Sequence, residues 1–120
     1  MAYDNPVFDW SFTAAADQTQ FTIVKITADN TVGIASAAAD KTVGVVQDKA
    51  TTGTTTQVRL LGVSKVIAGG TITAGAYLTS DSAGKAVATT TAGNRAIGIA
   101  LAGAASGDVF PVLLTGPITV

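Results

Sequence analysis

The chain has 120 residues, a formal net charge of −1, only 12% charged side chains, and neither cysteine nor histidine. That composition excludes a disulfide framework, thiolate metal sites and a histidine general base, while the single-residue scatter of five lysines and two arginines offers no patch for nucleic acid. The length fits one domain, and the use of Thr, Val, Gly and Ala with aspartate as the sole acid points to β structure rather than exposed helical faces.

Residues 1–20 stand apart from the rest. Tyr3, Phe8, Trp10 and Phe12 place four of the seven aromatics in the first twelve positions, among Asp4, Pro6 and Asp9. Phe8, Trp10 and Phe12 alternate as one face of an extended segment does. Two readings stand side by side: a first strand that packs its rings into the protein's own core, or an N-terminal arm that anchors them on a neighbouring subunit. The expected division is an aromatic-rich arm over 1–20 and a β domain over 21–120. The start has no basic, continuously apolar leader and no stretch is long enough to span a bilayer, so a soluble protein made in a cytoplasm is expected, with no membrane partner.

From Phe21 onward, short strands alternate with turn chemistry. Phe21–Thr27 reads as a strand, Ala28-Asp29-Asn30 as a turn and Thr31–Ile34 as its continuation, while 35–40 fits either one helical turn or a loop. Thr42–Gln47 is a strand, 48–55 a polar loop, and Gln57–Ile67 a longer strand that ends at Gly69-Gly70. Residues 71–79 carry Ile72, Tyr77 and Leu78. Asp81–Gly84 is a turn, Lys85–Thr89 a short strand, and Arg95–Leu114 a strand, an Ala/Ser/Gly/Asp turn and a second strand. The sum is an all-β domain, a small sandwich or barrel-like fold.

Two of these hairpins match at a fixed spacing. The interval that carries Gly44 onto Gly98 also pairs Lys41 with Arg95, Val45 with Ile99, Gly53 with Gly107, Val58 with Val112 and Leu60 with Leu114. A duplicated hairpin and a coincidence of common residue types both account for it. Gly between the apolar residues of Val43-Gly-Val45 and Ile97-Gly-Ile99 marks a bulge or a close backbone approach.

Catalytic constellations are weak throughout. No histidine stands near Ser11, Ser36, Ser64, Ser80, Ser82 or Ser106, and Ser64 and Lys65 are strand neighbours that point to opposite faces. Asp48, Asp81 and Asp108 sit in turn-like contexts where side-chain to backbone bonds account for them. Ala68-Gly69-Gly70 and the 103–107 stretch lack the endings of a phosphate cradle. The expectation is a non-enzymatic protein with no cofactor. Mean hydropathy is +0.45; alanine supplies part of it, and apolar surface shared between subunits is the other source.

Val43-Gly-Val-Val, Val58-Arg-Leu-Leu-Gly-Val, Ile72-Thr-Ala-Gly-Ala-Tyr-Leu and above all Ala96-Ile-Gly-Ile-Ala-Leu-Ala-Gly-Ala-Ala-Ser-Gly-Asp-Val, taken in order, resemble the capsid decoration, or cement, proteins of tailed bacteriophages. The resemblance covers about Lys41 to Leu114 and departs at Ser64-Lys65-Val66, where an aromatic and Pro-Lys are expected. It implies a β-rich homotrimer on the outside of an icosahedral head that clamps major capsid protein subunits. It implies neither cofactor nor catalytic residues. Tyr3, Phe8, Trp10 and Phe12 are the expected capsid or subunit contacts. The competing reading is a carbohydrate-binding or adhesive β module that stacks sugars on Trp10 and Tyr77.

Overall fold

A computed structural model describes residues 5–38 and 40–119, with side chains described from 8 to 115. Nine strands follow one another: β1 (Asn5–Ala14), β2 (Ile23–Ala28), β3 (Thr31–Ile34), β4 (Thr42–Val46), β5 (Thr55–Ile67), β6 (Tyr77–Ser80), β7 (Ala86–Ala88), β8 (Arg95–Ala100) and β9 (Val109–Thr119). The described residues contain no helix, and the all-β reading holds. Residues 35–38 contain no helix and are tied by the Asp40 carboxylate, which accepts from the Ser36 and Ala37 N–H groups at 2.7 and 3.0 Å and from Lys25 Nζ at 3.2 Å.

The strand order is β1-β3-β2-β4-β5-β9-β8-β6-β7, and an added β1–β5 pairing closes the first five strands into a barrel. Part of the stretch assigned above to an arm is therefore a sheet strand, antiparallel to β5 from Asn5 to Thr13 and parallel to β3 at Thr13 and Ala14.

The interval from Gly44 to Gly98 recurs through nearly the whole described chain. Val24 opposes Gly44 as Leu78 opposes Gly98; Val45 opposes Arg59 as Ile99 opposes Leu113; Val24 opposes Ile34 as Leu78 opposes Ala88. The isolated bridges repeat too, Gln18 with Ala50 and Ile72 with Ala104. So do the left-handed residues Phe21 and Gly75, Asn30 and Gly84, Gly53 and Gly107. The two hairpins are thus parts of a tandem duplication, in which β6, β7, β8 and β9 repeat β2, β3, β4 and β5. The counterpart of β1 is β5 itself: its antiparallel ladder to β9 and the parallel bridge from Ala68 to Ala86 repeat the two pairings of β1. One 13-residue strand therefore ends the first ring and begins the second. At the changeover Gly62 takes φ +107°, a conformation that side chains other than glycine disfavour.

The interiors obey the same rule. Phe12, Val24, Val32, Val46 and Val58 fill the first ring; their counterparts in the repeat, Val66, Leu78, Ala86, Ala100 and Val112, line the second together with Ile72, Ile97, Phe110 and Leu114. Ile23 and Val45 join this second cluster from the outer side of the first ring. That explains why β2 and β4 are apolar at consecutive positions: Ile23 and Val45 serve one core while Val24 and Val46 serve the other, and strands buried on both faces lose strict alternation.

Gly44 and Gly98 sit where the neighbouring strand leaves no room for a side chain. A Cβ at Gly44 would overlap the Arg59 carbonyl, and one at Gly98 the carbonyl of Leu113, which is the counterpart of Arg59 in the repeat. Gly44→Ala and Gly98→Ala must each part a strand pair, at a cost of about 2–4 kcal/mol in denaturant unfolding. The Asp40 clamp gives a second expectation. The Ser36 N–H, and after it Lys25, holds the Asp40 carboxyl below its ordinary 3.8. A depressed folded value means the stabilisation is present above the unfolded value and disappears as pH falls through the folded one. Asp40→Asn should therefore lower the unfolding midpoint at pH 6, by a margin that shrinks as pH falls through the folded value.

Candidate interaction surfaces

Most of the groups that bore chemical suspicion make structural contacts. Ser64 is fully buried, its Oγ accepting from Gln47 Nε2 at 2.9 Å and donating to the Lys65 carbonyl, while the Lys65 ammonium lies 5.8 Å from the centre of the Phe21 ring. Asp81 accepts from the Ala83 and Lys85 N–H groups and Asp108 from that of Ala105, as turn aspartates do. Asp48 is exposed. Among the described residues no three acidic side chains gather as a metal site.

The N-terminal aromatics separate into two environments. Tyr3 lies outside the described residues. Phe12 is 8% exposed and belongs to the first core. Phe8 and Trp10 are 44% and 51% exposed, their ring centres 6.0 Å apart and tilted by 46°. The split follows from ring closure: β3 joins β1 only at Thr13 and Ala14, so Phe12 falls inside while the earlier rings lie beyond the point where the barrel shuts.

Trp10 is oriented by Asn30, whose Oδ1 accepts from Nε1 at 3.1 Å and whose Nδ2 donates to the Ser11 carbonyl. Beside it, Asp9 is held by Arg59 Nε at 3.0 Å, and Gln57 Nε2 donates to Ser11 Oγ. Asp9, Trp10, Ser11, Asn30 and Gln57 line a shallow cleft of about 310 Å³.

A second apolar surface was not read from the sequence. Tyr77, Ile99, Leu113 and Val63 stand directly opposite one another across β6, β8, β9 and β5. Tyr77 is 47% exposed, Leu113 37%, and Leu101, just past β8, 48%. These four strands present a ladder of apolar side chains where a surface usually alternates toward polar residues. The signal available was the duplication: the counterparts of Tyr77 and Ile99 are Ile23 and Val45, both fully buried.

Comparison with known proteins gives the family. Among solved structures the chain is similar to the head fiber gp8.5 N base of bacteriophage phi29, with a TM-score of 0.71 and 23% identity over 90% of this chain and 93% of that one, which establishes a shared fold. No curated protein matches it. A family model for phage cement proteins matches residues 3–115, and the chain accordingly belongs to the phage cement protein family.

Proposed function

We propose that this protein is a capsid decoration protein that binds the outside of an icosahedral phage head as a homotrimer and stabilises contacts between major capsid protein subunits. It assembles in the host cytoplasm, stays on the virion surface, and uses no catalytic residue, cofactor or nucleic-acid contact. The observation that carries the reading is the family match across residues 3–115. The exposed Phe8 and Trp10 pair supports it, because paired, partly exposed aromatics supply a few strong anchors to an otherwise flat contact. Contacts repeated around a symmetric shell allow modest individual interfaces to act together.

Purified protein should co-sediment with intact heads at a fixed ratio to the shell protein and raise the temperature at which heads release DNA; absence of saturable binding would overturn the proposal. Trp10→Ala and Phe8→Ala should weaken head binding with little change in the unfolding midpoint. Phe12→Ala, inside the barrel, should instead cost about 3–5 kcal/mol of stability.

A second reading draws on the cleft beside Trp10, where an indole, a carboxylate and two amides converge as in a saccharide site. Trp10 is the sole tryptophan, so a saturable change in its fluorescence on titration with oligosaccharides would favour that reading, and an invariant spectrum would remove it.

A further inference from the structure

The duplication joins its two halves through an internal junction, and both sides of that junction occur a second time on the surface. Inside the chain, the outer side of the first ring, with Ile23 and Val45 at 0% exposure, seats against the open end of the second ring, where Ile97 and Leu114 are 3% exposed. Gln47 Nε2 crosses the same junction to Ser64 Oγ. The second-half counterparts of Ile23, Val45 and Gln47 are Tyr77, Ile99 and Leu101, an outer side with no ring seated on it. The first-half counterparts of Ile97 and Leu114 are Val43 and Leu60, which are only partly buried against the first core. The counterparts of Gly62 and Ser64 at that open end are Phe8 and Trp10.

We infer that the Tyr77, Ile99 and Leu101 face of one copy seats on the open end of the first ring of a second copy, at Val43, Leu60, Phe8 and Trp10, and so repeats between molecules the junction already made within each. A second copy is the occupant because this chain already carries the matching half of the contact. Both halves expose large apolar side chains: where the internal junction has the Gln47 to Ser64 hydrogen bond, the external one brings Leu101, 48% exposed, toward Trp10, 51% exposed. Phe8 and Trp10 are larger than Gly62 and Ser64, so the copies stand further apart than the halves do, and the rings fill the added space. The contact is head-to-tail, joining two different surfaces, so it propagates from copy to copy and closes into a ring where the rotation between copies permits. This deepens the homotrimer part of the reading above, on which it rests, by naming its interface.

Free protein is examined by sedimentation or light scattering across a concentration series, without heads. Wild type should associate to a defined multiple of 11.9 kDa. The double variant Tyr77→Asp with Leu101→Asp, and separately Trp10→Asp, should each fall to monomer mass with an unchanged circular dichroism spectrum. Mixed in equal amounts, the two should form a dimer that grows no further, because one intact face meets one intact open end. Should Trp10→Asp unfold, Trp10→Ser, which installs the residue found at the internal counterpart, takes its place and should likewise weaken association. A wild type that stays monomeric, variants that keep wild-type mass, or a mixture that stays monomeric would each overturn the inference. Head binding by a persistently monomeric protein would retain the capsid reading and remove this interface; self-association without head binding would do the reverse.

Discussion

Everything in this fold depends on β5 belonging to two rings at once. Its first half pairs with β1 and β4, its second half with β9, and its side chains pass from lining the first interior at Val58 to lining the second at Val66. Such a strand needs a place to turn its faces, and Gly62 supplies the backbone freedom. It also needs its neighbours to approach closely, which Gly44 permits on one side and Gly98 permits at the equivalent place in the second ring. A strand paired on both sides cannot be exchanged for an edge strand.

Duplicating a unit and stacking the halves leaves one unpaired surface at each end, as in any tandem array. In this chain the ends have been treated differently. The open end of the first ring holds the Phe8 and Trp10 rings, whereas the outer side of the second ring carries Tyr77, Ile99, Leu101 and Leu113 in place of the buried Ile23, Val45, the part-buried Gln47 and the buried Arg59. A terminal repeat meant to face water would be expected to become polar there. The retained apolar side chains instead leave an exposed apolar patch on this member of the phage cement protein family.

Of the candidate contacts, the alternation of Phe8, Trp10 and Phe12 was legible, but alternation assigns all three to one face and treats that face as uniform. The barrel does not. It closes around Phe12 because β3 reaches β1 at Thr13, and it leaves Phe8 and Trp10 outside that closure. The ladder from Tyr77 to Val63 was illegible for a related reason: its members come from four strands, and no local window contains more than one of them.

Local chemistry along the chain determined that this is a β protein, where most of its turns fall, and that Gly44 and Gly98 mark either a bulge or a close backbone approach, because backbone preferences and the size of a missing side chain act over a few residues. It also carried the repeating interval between those two glycines, although composition left a coincidence open. Only the tertiary structure decided that the interval is a duplication of whole rings, that β5 is shared between them, and which of two equivalent apolar residues is buried. Burial depends on which surfaces a ring closes over, and closure is a long-range event: β1 meets β5 at pairs as distant in sequence as Asn5 and Val63.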